Sequence, residues 1–356
     1  FDEGSINILW IDVHDDSLSG YSDMLSSSYP IKIKDGSYVS SVLWYAFYGE
    51  NGMPILQEFF EREQREWNTA YMEHDGRFKL PNYKTDFVIT AIGVLPDSKL
   101  AVQEKLKTGI KGGILVNNQY QTSKEHIYAV GDTIIVRHQV SDNDVLIPLA
   151  SPANRQGRQL ADILSGLNVK NRGTLGTSIV KVFDLSMAST GLNEKQLEGK
   201  DYKVIHLSAN DHASYYPHAT PINLKVIFDP KTEMILGAQA VGQKGIDKRI
   251  DVLATAIKGK IKVTDLQELE LSYAPPFSSA KDIVNLAGYV SQNILLGLTK
   301  TVQWHEVPRL LKEDDTIFVD VRSAFEREAN GYIINSIHFD VDTLDQTYKD
   351  IPKDKK

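Results

Sequence analysis

The chain has 356 residues, enough for two or three domains, and its 42% hydrophobic and 24% charged residues are the balance of an ordinary globular protein. A net charge of −8 argues against a broad nucleic-acid-binding surface, and no apolar run reaches the roughly 18 residues that a membrane-spanning helix needs. Cysteine is absent, which excludes disulfides, thiolate metal sites and a cysteine nucleophile within these residues. No basic-then-apolar leader opens the sequence, so a cytoplasmic location is expected.

Charge is unevenly placed. Residues 1–72 hold 4 Lys and Arg against 12 Asp and Glu, whereas 73–356 hold 35 of each, so a module boundary is expected near residue 72. Residues 5–13 (SINILWIDV) read as a short buried strand, and Lys32 to Val42 as a hairpin around Asp35-Gly36. Pro54 then opens a stretch with apolar residues at helical spacing. His14 with Asp12, Asp15 and Asp16 reads as a solvated acidic turn rather than a metal site.

From Glu73 the texture changes. Asp86 to Ile92 is a buried strand running into a Gly93–Pro96 turn, and ILVNNQYQTS and HIYAVGDTIIV are further strand-like runs. SPANRQGRQLADILSG predicts a helix, with Pro152 in its first turn and an apolar stripe of Leu160, Ile163 and Leu164. Residues 177–242 are β-rich, with two strands around the Asp229–Thr232 turn. Helices are predicted at 248–260, with Ile250, Leu253, Ala254 and Ile257 on one face, and at about 279–296. After Thr299 the pattern reads helix, strand, loop, a fresh α/β unit.

The strongest local signal is HIYAVGDTIIV, read as a β-branched strand with Gly131 and Asp132 at its carboxyl end, where open α/β sheets place ligands. Glycine admits a ligand to the backbone, and the carboxylate accepts a hydrogen bond from a sugar-like hydroxyl. Taken with Asp86–Pro96 and Gln121-Thr122-Ser123, this run resembles the second half of the FAD-binding fold of pyridine nucleotide-disulfide oxidoreductases. The resemblance implies that Asp132 binds the flavin's ribityl chain, with Gly131 allowing its approach. It also implies that Leu149, Ala150 and the helix start lie beneath the isoalloxazine, where helix N-terminal amides favour negative charge.

Downstream, HASYYPHA (212–219), GAQAVGQKGIDKRIDVLATAI (237–257) and LSYAPPFSSAKDIVNLAGY (271–289) resemble the dimerisation domain of the coenzyme A-disulfide reductase and NADH oxidase branch. That resemblance implies a homodimer in which Tyr273 and one tyrosine of the Tyr215-Tyr216 pair, Tyr215 being favoured, reach the partner's redox site. A phenol there can hydrogen-bond or protonate a leaving thiolate. Buried aromatics at a dimer seam are the competing reading. Lys248 and Arg249 could attract the phosphates of coenzyme A, or simply form a solvated helix start.

Ile317-Phe-Val-Asp-Val-Arg322, Phe325-Glu326 and Gly331-Tyr-Ile333 resemble the opening of a rhodanese domain, with Tyr332 where histidine is usual. The expected fold is therefore α/β in four parts. Residues 1–72 are an unassigned α+β segment and 73–172 the C-terminal half of an FAD-binding domain. Residues 173–298 are an α+β dimerisation domain, and 299–356 the N-terminal part of a rhodanese-like unit.

The function this implies is FAD-dependent reduction of coenzyme A disulfide or a persulfide by NAD(P)H. No Gly-x-Gly-x-x-Gly turn is present, and neither is the family's redox cysteine. Two readings stay open: part of a larger enzyme, or a catalytically silent dimeric binding protein derived from that family. No metal, nucleic acid or membrane partner is expected.

Overall fold

The computed structural model describes residues 94–352 and 355 and, upstream of these, only the backbone of four strands. Those strands are β1 (Ile8–Ile11), β2 (Ile31–Lys32), β3 (Tyr38–Val39) and β4 (Phe87–Thr90). β1 runs parallel to β4, and β2 pairs antiparallel with β3. The expected Asp35-Gly36 turn, the helix after Pro54 and the His14 cluster lie outside the described residues.

Alternating apolar residues over 178–242 fold into a five-stranded antiparallel sheet. Its strands are β7 (Ser178–Val182), β8 (Leu185–Gly191), β9 (Lys203–Asn210), β10 (Pro221–Phe228) and β11 (Ile235–Gly242). Their spatial order is β7-β8-β11-β10-β9, which puts β10 and β11 near the centre. The central strands are correspondingly buried: Ile222, Leu224, Val226, Phe228, Ala238 and Ala240 are almost fully inaccessible.

Two helices cover one face of this sheet, α3 (Ile246–Gly259) and α4 (Ile283–Leu295). Ile246, Ile250 and Leu253 of α3 and Ile283, Val284 and Ala287 of α4 join one core with the sheet. Each large aliphatic chain buried in this way contributes roughly 1.5–3 kcal/mol. Gly288 lets α4 close on the 3-10 turn Thr264–Glu268, because a Cβ there would meet the Gln267 nitrogen at 2.3 Å. The other face carries a smaller cluster of Leu192, Leu197, Val204 and Ile227.

Upstream, α1 (Lys99–Gln103) and α2 (Ala150–Leu164) flank a two-stranded ladder of β5 (Ile135–Arg137) and β6 (Asp144–Leu146). Leu160 and Ile163 of α2 pack on Tyr120, Ile134 and Val136, whereas Leu164 is 62% exposed, so the expected stripe is buried only in part. The run 111–131 makes isolated bridges instead of strands.

The chain divides into two compact units, Phe1–Leu295 and Leu296–Lys356. In the second, β12 (Val319–Asp320) and β13 (Ile337–His338) pair in parallel on either side of a short helix, Ala324–Asn330. Ser323 and Glu326 form a capping box at that helix start. Arg322 grips Asp320 at 2.8 Å and the Gly331 carbonyl at 2.8 Å, and its guanidinium holds the Asp320 carboxyl down at about 2.

Candidate functional site

Gly131 and Asp132 sit on a turn ahead of β5, not at the carboxyl end of a strand as the sequence reading expected. The reason is local. Gly131 has φ of +88°, which turns the chain, and the only ladder contact in 126–131 is the bridge from Tyr128 to Gln121.

The turn is held from below by α2. The Gly131 N–H donates to Gln156 Oε1 at 2.7 Å, and Gln156 is buried. The Tyr120 hydroxyl donates to Gln159 Oε1 at 2.5 Å, one turn further along the helix. Burial pushes the Tyr120 phenol up in pKa, against the opposing charge of Arg155.

Nothing lies within 4 Å of where a Gly131 Cβ would stand, and Asp132 is exposed. Leu149 is the N-cap residue of α2 and offers no side-chain cap; Ala150 and Ser151 are exposed at the helix start, and Pro152 is buried. An open glycine, a free carboxylate and an uncapped helix start fit the ribityl hydroxyls and the ring edge of a flavin. The pyrophosphate side has no such fit, since no Gly-x-Gly-x-x-Gly turn exists in the sequence.

The second constellation lies on two loops of the sheet domain, 211–219 after β9 and 271–279 before α4. The Tyr215 and Tyr273 hydroxyls are 3.1 Å apart, although 58 residues separate them. Their side chains are 75% and 48% exposed, so the pair is presented to the outside rather than used as core. The hydrogen bond from Tyr215, followed by burial, raises the Tyr273 pKa. Tyr216 does not join the pair; it packs edge-on against the His212 ring.

Arg249 ties both loops to α3. Its guanidinium reaches Asp282 through Nε at 3.1 Å and Nη2 at 2.7 Å, and donates to the Asp211 carbonyl at 2.8 Å and the Gly245 carbonyl at 3.1 Å. Arg249 and Asp282 are each about 2% exposed. Burial pushes the Asp282 carboxyl up, but Arg249 and the Ser278 hydroxyl outweigh it and leave it below the usual range. Ser278 Oγ donates to Asp282 at 2.6 Å, which anchors the tyrosine loop just before α4.

Arg249 therefore does not serve as the expected phosphate contact, because its donors are spent inside the protein. Lys248 is half-buried and donates to the Ser272 carbonyl at 3.2 Å, steadying the residue next to Tyr273. Sequence reasoning missed Asp211, His212, Ser278 and Asp282. A carboxylate directly ahead of the apolar run Ile283-Val284 was the available signal for Asp282.

A partial nucleotide-binding unit followed by a sheet backed by two helices is the fold of an FAD/NAD-binding oxidoreductase with its dimerisation domain. Residues 177–283 match the dimerisation domain of pyridine nucleotide-disulphide oxidoreductases, and residues 58–157 match the model described as pyridine nucleotide-disulphide oxidoreductase. Each of these segments is thus similar to a part of that family.

Among similar proteins, coenzyme A disulfide reductase of Staphylococcus aureus (strain JH9) is 39% identical over 242 residues, which cover 66% of this chain and 55% of that protein. The crystal structure of reduced Bacillus anthracis CoADR-RHD is 50% identical with a TM-score of 0.73, covering 77% of this chain and 49% of that one. An NAD-dependent persulfide reductase from A. fulgidus is 36% identical with a TM-score of 0.71, at the same coverages of 77% and 49%. The chain thus spans about half the length of the relatives it matches.

Proposed function

We propose that these residues serve an FAD-dependent oxidoreductase in which NAD(P)H reduces coenzyme A disulfide or a persulfide. The carrying observation is the Tyr215–Tyr273 pair, two exposed hydroxyls at 3.1 Å on loops tied down by the buried Arg249–Asp282 ion pair. Similarity to proteins named for those two substrates supports the reading. In it, Asp132 accepts from ribityl hydroxyls, Gly131 leaves room for the cofactor, and Leu149 and Ala150 with the α2 start lie against the ring. A bound flavin supplies two-electron transfer between nicotinamide and a thiol centre.

The chain's own residues then act on protons and position. Tyr273 donates its hydroxyl proton to a leaving thiolate sulfur, and Tyr215 accepts from or donates to Tyr273 to keep that proton aimed. Both phenols face outward, which supports a role at a partner's cleft and, as the working form, a homodimer built by residues 177–297. Lys248 is the cation left to attract coenzyme A phosphates, and residues 299–356 act as a rhodanese-like unit that handles sulfane sulfur. Use of NAD(P)H would suit a cytoplasmic location.

A second reading is favoured by one fact: there is no cysteine in the chain to supply a redox thiolate. On that reading the chain is a dimeric binding protein without chemistry of its own. Titration of the purified chain with FAD, followed by visible absorbance, separates the two. A bound-flavin spectrum that Asp132→Ala weakens supports the oxidoreductase reading. An intact dimer that binds no flavin supports the second.

A further inference from the structure

Both ring nitrogens of His212 face acceptors. Nδ1 lies 3.0 Å from Asp211 Oδ2, and Nε2 lies 3.1 Å from the Pro217 carbonyl oxygen. Neither a carboxylate nor a carbonyl can donate, so filling both contacts takes a proton on each nitrogen. That species is the imidazolium. His212 is only 6% exposed, so water is poorly placed to replace either hydrogen bond.

The surroundings favour the cation. Asp211 is itself held ionised: burial pushes its carboxyl up, but the Thr220 amide, donating at 2.6 Å, and the His212 ring outweigh it. Arg249 also approaches, through the Asp211 carbonyl, and Asp282 neutralises it. The same loop carries three further titratable groups: Tyr216, edge-on to the His212 ring at 5.7 Å, Tyr215, which meets Tyr273, and His218, which follows Pro217.

The Pro217 carbonyl closes the turn that carries Tyr215. Within that turn the Tyr216 N–H donates to the Ala213 carbonyl at 2.9 Å, and the Ala213 N–H donates to the Pro275 carbonyl of the Tyr273 loop at 3.3 Å. We propose that His212, as its imidazolium, is a positioning residue that latches the Ala213–Pro217 turn and so holds the Tyr215 hydroxyl against Tyr273. The use made of that pair rests on the function proposed above; the latch itself does not.

Asp211 raises the His212 pKa above the ordinary imidazole value, against the opposing effect of burial. A raised value means the latch is complete below about pH 6.5 and is lost as pH rises through the folded-state value.

The test is NMR of the full chain with ring-labelled histidine and tyrosine, titrated from about pH 5 to 8.5, below the phenols' own titration near 10. Signals are assigned with Tyr215→Phe, Tyr273→Phe and His212→Gln. His212 should titrate above about 6.5, and the Tyr215 and Tyr273 signals should shift with the same midpoint. Asp211→Asn should lower both midpoints together, by about one unit or more, a tenfold change in the protonation equilibrium. His212→Gln should leave the tyrosine pair without an inflection in this range.

A Tyr215 signal that passes the His212 midpoint unchanged would overturn the proposal, as would a His212 that titrates at or below the ordinary value. The wild-type titration alone decides this if Asp211→Asn fails to fold. A chain that binds no flavin gives the same titration, so the latch and the proposed function fail separately.

Discussion

Arg249 on α3 and Asp282 at the start of α4 meet in a two-point ion pair across 33 residues of sequence, at 3.1 and 2.7 Å, with neither side chain more than about 2% exposed. Removing one partner leaves an uncompensated buried charge, which typically costs about 3–5 kcal/mol. Arg249→Ala should therefore lower the unfolding free energy by about that amount in urea titration. Arg249→Lys should recover only part of it, because an ammonium cannot reach Asp282, Asp211 and Gly245 together. A loss below about 1 kcal/mol, the range of exposed pairs, would show that the network does not hold the loops.

The same network sets an acid limit. Asp282 and Asp211 both have carboxyl pKa values below their usual range. A depressed folded-state value stabilises the protein above the unfolded value of about 3.9, and that contribution is lost as pH falls through the folded value. Melting temperature should thus fall between about pH 5 and pH 3, and Asp282→Asn should flatten that slope at a lower starting stability. Thermal melts of both proteins over this range check it.

Asp132 and Gln156 lie on one turn but should respond in opposite ways. Asp132 is exposed, so Asp132→Ala should change stability by no more than about 0.5 kcal/mol. Loss of a charge-assisted hydrogen bond worth about 1.5–3 kcal/mol should weaken FAD binding roughly 10- to 100-fold. Gln156→Leu strips the buried acceptor from the Gly131 N–H and should cost about 1–3 kcal/mol of stability. Paired denaturation and FAD titrations read both effects.

The helices expected at 248–260 and about 279–296, which form as Ile246–Gly259 and Ile283–Leu295, and the strands of 177–242 were legible because each carries a long periodic pattern that needs no distant partner. The Gly131-Asp132 turn was only half legible. Its residues read as a strand, yet the run before it has no ladder beyond Tyr128–Gln121, so the glycine's positive φ decides the local path. Arg249 misled for a different reason. A cation in the first turns of a helix normally faces solvent, and what buries this one is Asp282, which no local signal connects to it. His212 was invisible as a latch because both of its acceptors are defined by the fold of the turn, not by spacing.

Loss of the Tyr273 hydroxyl gives a kinetic signature. In a cysteine-bearing relative that keeps the Tyr215–Tyr273 pair, replacing this tyrosine by phenylalanine should slow disulfide reduction about 10²-fold, the low end for a positioned proton donor. Flavin reduction by NAD(P)H should stay nearly unchanged in single-turnover experiments. Equal slowing of both half-reactions would assign Tyr273 to structure instead.

On the proposed reading a second copy receives the outward-facing tyrosines, and the segment matched as a dimerisation domain, 177–283, carries both. A specific two-fold interface should bury roughly 1,000 Å² or more and hold at micromolar concentration. Sedimentation equilibrium of the full chain at micromolar protein measures this directly. A two-chain species is the expected result; monomer alone across that range would contradict a site assembled from two subunits.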